Sequence, residues 1–246
     1  MKVFATYNIK GGVGKTSTAV NLAYLAAREG RRTLLWDLDP QAAATYVFRV
    51  RARVKGGGHG LVTRKRPIEA ALRATDFDNL DLLPADFSYR NMDLELDDAK
   101  KRTRRLDQLL SGVADDYDVA FLDCPPSVSL VSENVLRAAD VLLVPLIPAT
   151  LSLRTYAQLT RFVADAPRPR PEVVAFFSMA DRRKRLHREV IDAIPRDRGR
   201  IADTVVPSMA IIEQMAERRA PLPAFAPTSR AAKCYEQLWA EVGDGS

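Results

Sequence analysis

Ile9-Lys10-Gly11-Gly12-Val13-Gly14-Lys15-Thr16-Ser17 is the stretch on which the fold of this chain turns. An apolar run, Lys2 to Asn8, leads into it and reads as a buried strand. Behind it, Thr16 to Glu29 places Ala19, Leu22, Ala23 and Ala26 on one helical face before Gly30 closes the helix. A glycine-rich turn between a strand and a helix lets successive backbone N–H groups curl inward at the positive end of the helix dipole, which suits a phosphate. Gly11, Gly12, Val13 and Gly14 supply that cradle. Lys15 follows as a point charge for β- and γ-phosphates, the Thr16 hydroxyl is the kind of oxygen ligand Mg²⁺ prefers, and Ser17 is placed for an α-phosphate.

Outward from the loop, short apolar runs alternate with helical stretches. Strands are expected at Thr33 to Leu38, Leu80 to Leu83, Val119 to Asp123, Val141 to Leu146, Val173 to Ser178 and Ala202 to Val206. Helices are expected near Pro67 to Arg73, Arg104 to Gly112, Val128 to Ala138, Leu151 to Ala164, Leu186 to Ile194, Ile211 to Arg218 and Ser229 to Val242. Strands alternating with helices imply an α/β fold, a doubly wound and mostly parallel sheet flanked by helices on both faces. Two strands end in acidic motifs, Asp37-Leu38-Asp39-Pro40-Gln41 and Phe121-Leu122-Asp123-Cys124-Pro125-Pro126-Ser127. Open parallel sheets bind ligands outside the carboxyl ends of their strands, so Asp39 and Asp123 are expected to converge on the phosphate loop. Asp123 then holds Mg²⁺ through its water shell, and Asp39 orients the water that attacks the terminal phosphate.

One segment breaks the rhythm. Arg49, Arg51, Arg53, Lys55, Arg64, Lys65 and Arg66 surround Gly56, Gly57 and Gly58 with no acid between Val47 and Arg66, which reads as a flexible basic excursion over 47–66. A solvated loop, a DNA contact and a partner-protein surface are all compatible with it. Pro167, Pro169 and Pro171 read as a rigid connector into the next strand.

Composition sets the outer bounds. At 246 residues, with 47% hydrophobic and 28% charged, the chain is expected to be one domain over 1–246 and is not a disordered polymer. Its two cysteines, Cys124 and Cys234, are too few for a zinc cluster or a disulfide framework, and Cys124 is expected to pack as a small buried side chain. Lys and Arg number 37 against 31 acids, a net charge of +6 that leans toward a polyanionic partner. Met1 to Lys10 is too short and polar for a secretory signal, and no run approaches the roughly 18 apolar residues of a membrane span. A cytoplasmic protein is the expectation.

The usual Walker A pattern begins with a glycine where this chain has Ile9. What fits is the deviant form Lys-Gly-Gly-x-Gly-Lys-Thr, headed by a second lysine, Lys10. With the two aspartate motifs, the chain resembles the ParA/MinD family of deviant Walker A P-loop ATPases, closest to the ParA (Soj-like) partition branch, over nearly its whole length. Looser likeness continues through Leu146 to Leu159, Ser178-Met179-Ala180-Asp181, and Val206-Pro207 with Ile211 to Pro221.

The resemblance implies ATP and ADP as nucleotides with Mg²⁺, weak intrinsic hydrolysis, and a homodimer sandwiched across ATP. Lys10 would reach the phosphates of the other subunit, Asp39 would be the catalytic aspartate, and the loop matching Pro207 to Met209 would build part of the adenine site. Two cationic lysines on one loop repel each other, which itself rationalises a trans partner for Lys10. The resemblance further implies nonspecific DNA binding as the ATP dimer, nucleoid association in that state, and stimulation by a ParB-like or cargo-adaptor protein. The basic run Arg182, Arg183, Lys184, Arg185, His187 and Arg188 is the clearest candidate DNA surface, and the excursion is the second. Only one strand is read before the phosphate loop, so an operator-reading helix-turn-helix is not expected. The rival readings are a MinD-like membrane-positioning ATPase, a metabolic P-loop ligase and an accessory ATPase. The MinD-like reading needs a free amphipathic C-terminal helix, whereas Tyr235, Leu238 and Trp239 suggest a packed one.

Overall fold

The structure is a computed structural model, and it describes residues 1–65, 67–99, 102–166, 169–193 and 201–243. Arg66, Pro167, Ile194 and the closing residues after Gly243 lie outside the described residues.

The strands are β1 (Lys2–Thr6), β2 (Thr33–Asp37), β3 (Arg73–Ala74), β4 (Leu80–Leu83), β5 (Val119–Asp123), β6 (Val141–Leu146), β7 (Glu172–Ala180) and β8 (Ile201–Pro207). They form one sheet in the order β3-β4-β2-β5-β1-β6-β7-β8. Every pairing is parallel except β3 against β4 at one edge. The inner strands β2 and β5 are buried at every position, as expected where both faces of a parallel sheet are covered.

The helices are α1 (Lys15–Arg28), α2 (Ala43–Val47), α3 (Gly57–Val62), α4 (Met92–Asp97), α5 (Arg105–Leu110), α6 (Leu130–Ala138), α7 (Thr150–Asp165), α8 (Arg185–Ala193), α9 (Ala210–Arg218), α10 (Leu222–Phe225) and α11 (Arg230–Gly243). They divide between the faces of the sheet according to the two-residue alternation of its strands. Phe4, Leu35, Phe121, Leu143 and Phe176 point toward α1, α2, α9, α10 and α11. Ala5, Trp36, Leu122, Leu142 and Ala175 point toward the helices α3 to α8. Helix α1 stops because Gly30 takes a left-handed φ of 87°. That lets the N–H groups of Gly30 and Arg31 cap the carbonyls of Ala27 and Ala26 at 2.9 and 3.2 Å.

Helix α11 docks between α1 and β8, with Tyr235, Leu238, Trp239 and Val242 all buried. Trp239 sits 5.7 Å from both the Phe4 and Phe121 rings, and its indole N–H donates to Glu29 at 2.8 Å. This is the packed terminal helix expected from the sequence.

One helical expectation holds with a tighter last turn, and two expectations need correcting. Pro67 to Arg73 is not an α-helix but a 3₁₀ turn, Ile68–Ala71, running into the edge strand β3. The segment is too short to bury a helical stripe, and it is drawn onto β4 by antiparallel pairing. Arg104 to Gly112 is the short α5 followed by a 3₁₀ turn at Ser111–Val113. The basic excursion is not a flexible loop. Within it Val54, Leu61 and Val62 are buried, and α3 lies against the segment carrying Tyr89 and Met92. Asp86 accepts from the Val54 N–H at 2.9 Å, and the Ser88 hydroxyl accepts from the Gly58 N–H at 2.8 Å. A side chain at Gly58 would meet the Tyr89 ring at 3.3 Å, so this glycine serves close packing, while Gly56 and Gly57 take left-handed φ values of 89° and 58° to turn the chain into α3. The cations Arg51, Arg53, Lys55, Arg64 and Lys65 remain on the outside.

Candidate functional site

Parallel pairing fixes the chemistry at the carboxyl ends of three adjacent strands. Asp123, the last residue of β5, is in register with Thr6 of β1 on one side and Asp37 of β2 on the other. The phosphate loop leaves β1 at this level and turns into α1. Gly12 and Gly14 take left-handed φ values of 67° and 92°. At Gly14 a side chain would also meet the Ser178 hydroxyl at 2.8 Å, so this position has neither the torsion nor the room for anything but glycine. Val13 turns its side chain inward and is buried, leaving its backbone to the cradle.

Around the loop lies an open cleft of about 350 Å³. Gly11, Gly12, Gly14, Lys15, Thr16 and Ser17 line one side of it, with Asp39 and Pro126 beside them. Lys15 is largely buried, and its ammonium donates to the Lys10 carbonyl of its own loop at 3.1 Å. Burial lowers its pKa, while Asp123, Cys124 and Asp39 pull the other way, so the lysine lies within electrostatic reach of both predicted aspartates. Lys10 sits half-buried at the head of the loop, with its N–H donating to Asn8 Oδ1 at 3.0 Å. Its ammonium has no partner among the described residues.

Asp123 lies fully buried beneath the cleft. Its Oδ2 has no hydrogen-bond partner among the described residues. Burial raises its carboxyl pKa well above the usual range, Asp37 adds to the effect, and the Thr16 hydroxyl opposes it. A carboxyl oxygen held out of water without a partner, whose charged form burial disfavours, fits a site where a hard cation compensates that charge, and Thr16 beside it supplies a second oxygen. The residues present therefore fit Mg²⁺.

Asp37 performs a different task. Burial pushes its pKa up to about 6. It accepts from the Thr45 N–H at 2.8 Å and the Thr45 hydroxyl at 2.7 Å, and from the Asp39 N–H at 3.2 Å. It thus pins the start of α2 and the backbone of Asp39, leaving the Asp39 side chain at the cleft. On the other flank, the Tyr7 hydroxyl donates to the Ser127 carbonyl at 2.6 Å. That bond ties the loop after Asp123 to the strand entering the phosphate loop. Cys124 is buried in this region, and both burial and Asp123 push its thiol pKa up, consistent with inert packing.

The far wall of the cleft consists of Ser178, Met179, Val206, Pro207, Ile212, Glu213 and Tyr235. Of the two residues expected at an adenine site, Pro207 is here. Met209 instead lines a neighbouring cavity. Reading the sequence missed Ser178, Glu213 and Tyr235. Ser178 lies near the end of β7 and was accessible to the same strand-end rule that found Asp39 and Asp123. Tyr235 comes from the middle of α11 and carries no local signal.

The basic run lies in the turn before α8 and at the start of that helix. Arg182, Arg183, Lys184, Arg185 and Arg188 are exposed there. His187 is not part of that surface, because it is buried and its Nδ1 accepts from the Asp181 N–H at 3.1 Å. Arg183 and Arg185 are paired with Asp181 and Glu189.

Comparison with known proteins places the chain in a family and its fold among solved structures. A family model described as an AAA domain matches residues 1–170. The sporulation initiation inhibitor protein Soj of Bacillus subtilis is 31% identical over 247 residues, covering 98% of both chains. Among solved structures, a putative plasmid partition protein from Borrelia burgdorferi bound to AMPPNP superposes with a TM-score of 0.85 at 21% identity, over 97% of each chain. Cobyrinic acid a,c-diamide synthase from Mycobacterium smegmatis, with ADP and magnesium, gives a TM-score of 0.80 at 27% identity, covering 98% of this chain and 93% of that one.

Proposed function

The chain belongs to the Soj/ParA family of AAA-domain ATPases, and from that membership we propose an ATP-driven positioning machine that dimerises around the nucleotide, holds DNA nonspecifically and hydrolyses slowly until a partner stimulates it. The observation that carries this reading is the meeting of Lys15, Thr16, Asp39 and the buried, unpartnered Asp123 oxygen around one glycine-lined cleft.

In this reading the backbone of Gly11 to Gly14 and the Lys15 ammonium hold the triphosphate, with Ser17 at its α end. Thr16 and Asp123 hold Mg²⁺, which when bound neutralises charge on the phosphate oxygens. Asp39, its backbone fixed by Asp37, orients the attacking water. The Lys10 ammonium has no partner among the described residues, consistent with a role toward the nucleotide of a second subunit. A cation supplied in trans to a transferring phosphoryl group is worth about 10³ to 10⁵ in rate. That dependence accounts for slow hydrolysis by the lone subunit. The exposed side chains of Arg182, Arg183, Lys184, Arg185 and Arg188 form the DNA surface.

A MinD-like mode of membrane attachment finds no support in α11, whose apolar side is already packed against α1 and the sheet. Among the described residues no helix is long and apolar enough to cross a membrane.

The test is retention of the protein on random-sequence DNA with and without ATP, run beside a liposome arm and an assay of ATP turnover. Retention that requires ATP and weakens steeply with salt is expected. ATP-dependent liposome binding in its place, or turnover stimulated by a small carboxylic acid and not by DNA, would overturn the proposal.

A further inference from the structure

Glu213 puts a carboxylate into the wall of a cleft suited to anions. It stands in the first turn of α9 and lines the nucleotide cleft with Val206, Pro207, Ile212 and Tyr235. It also lines a second groove, of about 470 Å³, bordered by Tyr46 and Val47 of α2 and by Met215 and Ala216 of α9. The two cavities share Thr16, Ser17, Ile212 and Glu213, so these four residues form the ridge between them. Asn21 fixes the two sides of that ridge to each other. Its Nδ2 donates to the Ser17 carbonyl at 2.7 Å and reaches the Met215 sulfur at 3.4 Å, while its Oδ1 accepts from the Leu222 N–H at 2.8 Å. Glu213 itself is exposed, and among the described residues its carboxylate has neither a hydrogen-bond donor nor a cation as partner.

Helix stability does not account for this acid. The dipole favours a carboxylate in a first turn, but Glu217 follows at i+4 on the same helix, and like charges at that spacing are disfavoured by a comparable small amount. Toward bound phosphates the carboxylate is repulsive. What it can do there is accept from a neutral donor. Outward from the phosphate loop, a nucleotide presents its sugar hydroxyls directly beyond the α-phosphate and its base amino group further on. Ser17, at the α-phosphate end in the reading above, shares the ridge with Glu213. Val206, Pro207 and Tyr235 line the cleft without bordering the second groove, and they supply the apolar surface that a base needs. Glu213 therefore falls at the level of the sugar, and a carboxylate is the acceptor that ribose hydroxyls take in other nucleotide-binding α/β folds.

We propose that Glu213 accepts from the ribose hydroxyls of the bound nucleotide and makes the site select ribonucleotides over deoxyribonucleotides. The inference rests on the nucleotide-binding reading above and adds to it a specificity-determining residue. Selection works from both sides. A ribose gives the carboxylate its donors, whereas a deoxy sugar leaves it short of them beside the phosphates, with the repulsion uncompensated.

The test is titration calorimetry of wild type, Glu213→Ala and Glu213→Gln with ADP, 2′-deoxyADP, 3′-deoxyADP and inosine diphosphate, all with Mg²⁺; diphosphates avoid turnover during the measurement. Wild type should hold ADP about tenfold more tightly than at least one deoxy form, the low end for a hydrogen bond to a charged acceptor because Glu213 is exposed. In Glu213→Ala the preference should fall to within about twofold through weaker ADP binding. The deoxy forms should bind that variant at least as tightly as they bind wild type, because a like charge has gone. Glu213→Gln keeps an acceptor oxygen without the charge and should retain part of the preference. Inosine diphosphate lacks the adenine amino group but keeps the ribose, so Glu213→Ala should weaken it by the same factor as ADP. Wild type that holds ADP and both deoxy forms equally overturns the ribose assignment. So does a Glu213→Ala variant that loses all four ligands alike, which would make the residue a structural part of the wall. Inosine diphosphate that is untouched by Glu213→Ala while ADP weakens overturns it as well, by moving the contact to the base. Wild type that binds none of the four overturns the nucleotide reading itself.

Discussion

Replacing Asp123 by asparagine should make the nucleotide-free protein more stable and the nucleotide-loaded protein less so. The Asp123 side chain is fully buried, its Oδ2 has no hydrogen-bond partner among the described residues, and Asp37 stands opposite it on β2. Leaving a buried polar group unsatisfied costs about 1–3 kcal/mol, and more when it is charged. Asparagine keeps the shape, removes one of two facing carboxylates and offers a donor toward the other. The free variant should therefore gain about 1–3 kcal/mol. For a domain of this size each kcal/mol moves the melting midpoint by about 2–4 °C, so the rise should be several degrees.

Ligand reverses the order. A ligand at a hundredfold excess over its Kd stabilises the native state by about 2.7 kcal/mol. If Asp123 and Thr16 hold Mg²⁺, the part of this gain that depends on the metal should vanish in Asp123→Asn. Thermal melts followed by far-ultraviolet circular dichroism, without ligand, with Mg²⁺, with ATP and EDTA, and with ATP and Mg²⁺, read both effects. The curves should cross, with the variant melting above wild type when empty and below it with ATP and Mg²⁺. A variant that melts lower when empty would refute the buried-charge argument. One that keeps the full Mg²⁺-dependent gain would refute the metal assignment.

Asp39→Ala should bind ATP with near-normal affinity and accumulate as a long-lived dimer on DNA, with turnover reduced at least a hundredfold; unchanged turnover rejects its catalytic role. Lys10→Ala should remain monomeric with ATP by light scattering, and a persistent dimer there rejects the trans role. Trp239→Ala removes the ring that packs on Phe4 and Phe121 and the indole bond to Glu29. It should cost about 3–5 kcal/mol, read as a lower urea midpoint at an unchanged slope.

The residues that could be placed from the sequence are those whose roles follow from neighbours in the chain. The phosphate loop is one contiguous stretch, and its helix start, left-handed glycines and closing Gly30 are consequences of local sterics. Asp39 and Asp123 were found because each stands in an acidic motif at the carboxyl end of a strand-forming apolar run. What escaped depends on contacts between distant segments. The excursion looked flexible because its glycines and cations dominate the composition. Its order comes from buried residues that include Val54, Leu61 and Val62, and from Asp86 and Ser88, which lie 32 and 30 positions beyond the N–H groups they accept from. His187 looked like one more cation in a basic run, and only the Asp181 N–H turned against its ring shows it to be a structural acceptor. The resemblance grouped Met209 with Pro207 at one site, yet Pro207 borders both the nucleotide cleft and the neighbouring cavity while Met209 borders the neighbouring cavity.

The order of the strands is the other fact not readable from the sequence, and it determines where the site can be. From β1 the chain first moves to one side, laying down β2, the edge strand β3 and then β4 between those two, returns to insert β5 between β2 and β1, and then crosses to β6, β7 and β8 on the opposite side. The direction of winding therefore reverses at β1, and a crevice opens above such a switch point because successive connections leave it to opposite faces. The phosphate loop is the connection that leaves β1, so it occupies that crevice. Insertion of β5 beside β1 brings Asp123 into register with Thr6, directly under the loop, and β2 on the far side delivers Asp37 and hence Asp39. Had β5 been added at an edge, Asp123 would lie at least one further strand spacing, about 4.8 Å, from the loop. It would then also escape the burial that leaves its oxygen without a partner. The same reversal sends β7 and β8 to the other side, so the wall formed by Ser178 and Pro207 faces the aspartates across the cleft. The cavity that Met209 lines beyond Pro207 then falls outside the nucleotide site and shares one loop with it.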